Sequence, residues 1–300
     1  MQRREEQERK AGDRMVLIIK DEKCLFPWEV EYPFRWCPAG TFMMGSPTSE
    51  IDRFNNEVQH QVTLTHGVWM LETPVTQAMW TIVMGKNPSY FRGNGKLPVE
   101  CVSWYDCQEY IEKLNDHGIA PNGYRFSLPT EAQWEYACRA GTTAPFNFRT
   151  TLENGDKANC CGQYYFYDTY AKVKDVVVVH PEYFYIEPPD EISEKNKPEA
   201  PPEKTTEVGS YLANAWGLYD MHGNVGEWCL DCYGDYPSDS VTDPVAVSSD
   251  HNAYRVFRGG SYFDAAECCR SASRDGDMFC PWEPDAFNGL RLSLIHAKSK

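Results

Sequence analysis

The chain has little positive charge. Its 29 Lys and Arg stand against 44 Asp and Glu, a net charge of −15. That balance argues against duplex nucleic acid and anionic membranes as general partners, since both favour a basic face. Long apolar runs are also missing. Nothing approaches the roughly 18 residues of a membrane-spanning helix, and residues 1–14 are too polar for a signal peptide. An exported form needs a signal that these residues do not supply. Cysteine, at 12 residues in 300, falls well short of a disulfide scaffold, and the adjacent pairs Cys160-Cys161 and Cys268-Cys269 suit a regular framework poorly. The redox compartment stays open. Catalytic signatures are mostly absent: no Walker-type phosphate loop, no GxGxxG, no HExxH and no GxSxG elbow. Cys229 and Cys232 form a lone CxxC, without the second pair that a zinc site needs or the βαβ context of a redox site. No repeat of solenoid period occurs.

What is present suits a globular domain. Hydrophobic residues make up 42% and aromatics 14%, and 300 residues can bury roughly three quarters of the unfolded surface. Residues 1–14 are expected to be a charged flexible tail, with order beginning near Met15. Two short strands are expected around His66-Gly67. A helix is expected after Thr76, where Met79, Ile82 and Val83 share a face before Gly85. Ser103 and Asp106 form a capping box ahead of Trp104, Cys107, Ile111 and Leu114. Thr130 and Gln133 cap a third helix that runs to Ala140 and ends at Gly141. Later come strand-like pieces at 255–258 and 289–295. In the second, Leu290, Leu292 and Leu294 alternate with polar residues as in a half-buried strand. Early helices and late short strands predict an α+β chain. Residues 187–204 hold five prolines among charged residues. With the apolar stretches 164–170 and 176–186 they read as an insertion at 164–204 within one domain spanning 15–300.

Seven stretches occur in a fixed order: PAGTFMMGS (38–46), ETPVT (72–76), PVECVSWYDC (98–107), RFSLPTEAQWEYACRAG (125–141), NAWGLYDMHGNVGEW (214–228), RVFRGGSY (255–262) and GLRLS (289–293). In this order they resemble the formylglycine-generating-enzyme, or sulfatase-modifying-factor, family from about Phe34 to Leu294. The resemblance implies a C-type-lectin-like fold with few helices, short strands and many loops. It also implies a test for activity. The oxygen-dependent enzymes of the family carry two copper-binding cysteines, five positions apart, after GGSY. Here the second position is Cys269 and the first is Asp264, and a carboxylate does not replace a soft thiolate for copper(I). Cys269 is therefore catalytic only under an alternative reading as an oxidase of cysteine-containing proteins. The iron-dependent sulfoxide synthases of the family need a further helical domain that this chain has no room for.

The C-terminal stretch is similar to another branch, the variable proteins of diversity-generating retroelements. The shared pattern is Gly259-Gly260-Ser261, Ala266, Cys269-Arg270-Ser271-Ala272, Arg274 and Gly289-Leu290-Arg291-Leu292. That resemblance implies a non-catalytic protein whose ligand-binding region spans about 258–292. Its candidate ligand-binding residues lie between the fixed points: Tyr262, Phe263, Asp264, Ala265, Glu267, Cys268, Ser273, Asp275, Gly276, Asp277, Met278, Phe279, Cys280, Trp282, Glu283, Asp285, Ala286, Phe287 and Asn288. They follow neither a strand nor a helix period, and they mix aromatic anchors with adaptable polar groups, as binding surfaces do. The expected partner is a protein or glycan. The expected state is a monomer, exported to the cell surface as a lipid-anchored protein. No cofactor is required. Structural calcium at GNVGEW (223–228) is an added expectation, with Asn224 and Glu227 as oxygen donors.

Overall fold

The computed structural model describes residues 8–21, 28–147, 158, 204–275 and 280–297. The chain opens with a hairpin, β1 (Arg14–Asp21) and β2 (Trp28–Cys37), followed by β3 (Gly40–Met44), β4 (His60–Leu64) and β5 (Val68–Leu71). Three helices come next around a short strand: α1 (Gln77–Met84), α2 (Trp104–Asp116), β6 (Tyr124–Ser127) and α3 (Glu131–Arg139). The described residues that follow are strand and loop: β7 (Gly226–Cys232), β8 (Val241–Thr242), β9 (Arg255–Arg258), a 3-10 turn at Ala266–Cys269, β10 (Arg274–Asp275), β11 (Asn288–Leu290) and β12 (Ser293–His296). These strands form three sheets, ordered β1-β2-β5-β12-β6, β10-β9-β7-β11 and β3-β4-β8. The fold is α+β and C-type-lectin-like, with most of the described residues in loops. Among the described residues no helix is long and apolar enough to cross a membrane.

The helices start where their caps lie. The Thr76 hydroxyl accepts from the Met79 amide at 3.2 Å, that of Ser103 from Asp106 at 3.1 Å, and that of Thr130 from Gln133 at 3.1 Å. Helix α1 stops at Gly85, which takes φ 73°. Helix α3 ends one residue earlier than its glycine predicts, because Ala140 itself takes the left-handed conformation at φ 45°. Helix α2 turns Trp104, Cys107, Tyr110, Ile111 and Leu114 inward. They join Tyr32, Phe34, Trp36, Trp228, Leu290, Leu292 and Leu294 in the main core. Burial of this aromatic mass is the main stabilising term. The indole N–H groups of Trp104 and Trp228 donate to Cys229 and Val102 carbonyls, so these rings also tie loops to the core.

Two expectations need correction. Residues 8–14 are not a free tail: Arg9 stacks over Trp36 at 4.8 Å, and the Gly12 amide bonds to the Trp36 carbonyl at 2.9 Å. Arg9 is half-buried against this aromatic face, while Glu8, Lys10, Asp13 and Arg14 stay exposed. The single strand expected at 289–295 is two strands, β11 and β12, in different sheets. Nor is it half-buried, since Arg291 and Ser293 are as buried as the leucines. Of the expected 164–204 insertion, all but Lys204 lies outside the described residues, as do the strands expected within it.

Candidate functional site

Strand β9 leads into a turn made by Gly259 and Gly260, both at positive φ. A Cβ on Gly260 would fall 2.6 Å from the Cys269 sulfur, so this turn admits only glycine. The Asp264 carboxylate closes the turn by accepting from the Ser261 amide at 2.8 Å and its hydroxyl at 2.7 Å. Beyond it, little ladder hydrogen bonding holds the chain: β10 has two residues and β11 has three.

Four buried arginines supply the missing restraint. Arg258 donates to Glu135 and to the carbonyls of Ser271, Ala272 and Ser273. The Arg270 guanidinium forks onto Glu57 at 2.5 and 2.9 Å and reaches Glu50 at 2.7 Å. Arg274 forks onto Glu131 at 2.7 and 2.9 Å and donates to the Gly234 carbonyl. Arg291 holds Glu227 and the carbonyls of Leu71 and Tyr219. Every carboxylate in these clamps comes from outside 258–292. Their influence outweighs burial at Glu57 and Glu131, whose pKa values fall below the ordinary range although desolvation raises them.

Between the clamps the chain reaches solvent. Phe263 is 66% exposed and Trp282 47% exposed, and Glu283 is exposed. Asp264, Ala265, Glu267, Cys268, Asp275, Cys280, Asp285, Ala286 and Phe287 are half-buried. Tyr262, Ser273 and Asn288, expected at the surface, are instead buried. Tyr262 packs against Phe287 at 5.7 Å, Ser273 carries one of the Arg258-bonded carbonyls, and Asn288 is a rung of β11 beside Gly226. Neither amide atom of Asn288 has a protein partner. Gly276, Asp277, Met278 and Phe279 lie outside the described residues.

Sequence reasoning missed a second segment of this surface. Phe91 meets the Tyr262 ring edge-on at 5.3 Å and Tyr90 at 5.0 Å, and Tyr90 is 74% exposed. Their loop is held from beneath. Glu100 accepts from the Tyr90 and Phe91 amides, and the Gln77 amide group donates to the Phe91 carbonyl at 2.6 Å. The Cys101 amide bonds to the Asp285 carbonyl, and that of Trp104 to the Pro281 carbonyl, which ties this loop to the C-terminal one. The only sequence signal was a pair of adjacent aromatics between two helices. A cleft of about 450 Å³ shares Phe91 with this surface and includes Leu97, Thr205 and Thr206 in its wall.

Burial raises the pKa of Glu100, Asp264 and Asp285. Burial also pushes the Tyr262 hydroxyl up to about 12, with the charges of Glu100 and Asp285 adding to it. Burial beside Asp264 pushes the Cys268 thiol to about 12, so it stays protonated and unreactive at neutral pH.

The side chains considered for a metal are otherwise engaged. The Asn224 side chain is spent on both backbone groups of Thr206, and both Glu227 oxygens are taken by Arg291, with the Trp134 N–H on one of them. The two therefore do not fit a calcium ion as its oxygen donors. The Phe257 ring fills the space beside Gly226: a Cβ there would lie 1.9 Å from it. A two-thiolate copper site does not fit either. Asp264 caps a turn, and Cys269 is fully buried. Among the described residues no group of three or more His, Cys, Asp or Glu could hold a metal.

A C-type-lectin-like scaffold with a clamped, aromatic-rich C-terminal surface defines the class. The chain belongs to the sulfatase-modifying factor enzyme 1-like domain family, whose model matches residues 34–293. It is 30% identical over 219 residues to the chaperone protein LppX of Paenibacillus barcinonensis, covering 63% of this chain and 66% of that protein. It is 27% identical over 255 residues to the formylglycine-generating enzyme of Streptomyces coelicolor, covering 80% of this chain and 68% of that one. It spans 22% of a Chlamydia pneumoniae protein named serine/threonine-protein kinase pkn1, at 31% identity over 61% of this chain. In fold it is similar to Treponema denticola variable protein 1, with TM-score 0.68, 23% identity, and coverage of 93% of this chain and 98% of that one. PvdO from Pseudomonas aeruginosa is equally similar, with TM-score 0.67, 23% identity and coverage of 95% and 99%.

Proposed function

We propose that this protein is a non-catalytic binding protein. Its scaffold presents the surface built from Phe263 to Phe287, flanked by Tyr90 and Phe91, to a protein or glycan ligand. One observation carries the reading. The four arginines at 258, 270, 274 and 291 are buried in ion pairs with the scaffold, while the side chains between them include the exposed Phe263, Trp282 and Glu283. Folding and recognition are thereby assigned to different residues of one segment. The likeness in fold to a variable protein supports extending this to retroelement diversification. A displayed protein of this kind is exported and lipid-anchored, and it acts as a monomer.

The test is the DNA downstream of the gene. A reverse-transcriptase gene and a near-copy of the segment encoding 258–292, differing mainly at template adenines, support diversification. Their absence removes that part. Display itself is tested by protease accessibility on intact cells.

A second reading is favoured by the relatives named as formylglycine-generating enzymes and by Cys269. It predicts copper(I) binding and oxidation of a cysteine-containing sulfatase peptide. Asp264 as a turn cap and the buried Cys269 weigh against it, and loss of neither property in Cys269→Ser would end it.

A further inference from the structure

The exposed surface is unusual in its charge. From Tyr262 to Asn288 the sequence holds six carboxylates and two arginines. Both arginines, 270 and 274, are buried in ion pairs with Glu50, Glu57 and Glu131, so neither offers charge to a ligand. Asp264 and Asp285 form no salt bridge among the described residues, and their charges bear on the Tyr262 hydroxyl together with that of Glu100. Glu283 is exposed and forms no salt bridge among the described residues.

These carboxylates border a continuous run of rings. Tyr90, Phe91, Tyr262, Phe287 and Phe263 follow one another at centroid distances of 5.0, 5.3, 5.7 and 5.2 Å. The outer members, Tyr90 and Phe263, are mostly exposed. Successive rings meet edge-on or tilted, so the run presents both edges and electron-rich faces. Faces attract cations, and nearby half-buried carboxylates strengthen that attraction because their field is poorly screened. An anionic ligand would be repelled by these carboxylates, and a neutral sugar, although its hydroxyls can donate to them, would leave their charge unneutralised.

We propose that this surface recognises lysine or arginine side chains on a basic segment of a partner protein, with the cationic head seated against the rings between Asp264 and Asp285. The inference rests on the binding reading above and names the chemistry of its ligand.

The experiment uses the full chain and three fluorescein-labelled 12-residue peptides of equal length, followed by fluorescence anisotropy. One carries four lysines, one carries the same lysines acetylated, and one carries glutamates instead. The lysine peptide is expected to bind, and acetylation is expected to weaken it by about tenfold or more. Asp285→Asn and Phe263→Ala are each expected to weaken it several-fold, whereas Asp239→Asn, an exposed charge loss elsewhere, leaves it unchanged. Phe263→Ala matters because it removes no charge: equal binding by that variant means diffuse attraction to an acidic protein and overturns the proposal. Better binding of the acetylated or glutamate peptide, or of a glycan on an array, lost in Phe263→Ala, also overturns it while leaving the binding surface intact. No binding by any probe overturns it as well, and the downstream-DNA test of the binding reading stands independently. Thermal unfolding of each variant confirms that it is folded.

Discussion

Replacing Arg258 by methionine keeps the length of the side chain and removes its charge and its donors. In the native protein the guanidinium lies against Glu135 and bonds the carbonyls of Ser271, Ala272 and Ser273, with 1% of the residue exposed. In the variant, Glu135 keeps only Arg139 and the Gly45 amide, and three carbonyls lose this donor. Breaking a buried ion pair by removing one partner costs about 3–5 kcal/mol, because the other charge stays buried. Each orphaned carbonyl that water does not reach adds roughly 1–3 kcal/mol. A loss of about 4 kcal/mol or more is a large share of a typical 5–15 kcal/mol stability, and lowers Tm by roughly 10 °C. Phe263→Ala is the matched control. That side chain lies in the same segment but is 66% exposed, so its truncation changes stability by about 0.5 kcal/mol or less. Urea unfolding followed by circular dichroism reads both. The reasoning is refuted if Arg258→Met costs under about 1 kcal/mol, or if Phe263→Ala costs as much as Arg258→Met.

Other outcomes follow from single contacts. Gly226→Ala drives a methyl into the Phe257 ring and is expected to lower the unfolding free energy by about 1–3 kcal/mol, with partial rescue in Gly226→Ala/Phe257→Ala; an unshifted urea midpoint contradicts the packing. Asn224→Ala removes both bonds to Thr206, so amide exchange at Thr206 should quicken while that of β7 does not. Burial, with the charge of Glu131, pushes the Asp231 carboxyl up to about 7, although it accepts from the Glu131 and Ala246 amides. A folded pKa above the unfolded value means that the native state binds this proton more tightly. Its contribution to stability is therefore present at low pH and lost as pH rises through about 7. A carbon-13 titration of Asp231 with its midpoint below 5 would contradict this.

The helices were legible because their signals are local. A hydroxyl three residues before its own box partner fixes a start, and an apolar stripe fixes a face, as at Ser103, Asp106 and Trp104 to Leu114. The hairpin of β1 and β2 was not read from the sequence, where only order from about Met15 was expected. Val30, Tyr32, Phe34 and Trp36 alternate inward, but Pro33 interrupts the pattern. The structure tolerates it because β5 pairs with β2 only from Phe34 onward. The fixed points of the C-terminal segment were legible through resemblance, and their chemistry was not. Nothing local to Arg270 or Arg274 says that Glu57 and Glu131, far away in sequence, will hold them. The same holds for Tyr90 and Phe91, whose place depends on Glu100 and Gln77 beneath. Buried polar contacts of long sequence separation leave no period, so they escape reading from one chain.

That the clamps are arginines rather than leucines follows from the backbone they hold. Replacing a buried ion pair with apolar side chains often leaves stability unchanged or higher, so stability alone does not explain four of them. A segment with so few ladder bonds leaves carbonyls that water or a donor must satisfy. Arg258 satisfies three in one stroke, which no apolar side chain does. Its planar fork also fixes direction as well as distance, where an apolar plug would let the loop slide. Lysine, with a single point charge, cannot reach Glu135 and three carbonyls together. Arg258→Lys keeps a charge beside Glu135 but not all three carbonyl bonds, so it should cost less stability than Arg258→Met and still weaken the peptide binding proposed above. An Arg258→Lys variant that binds as the parent does would show that the loop needs no such director.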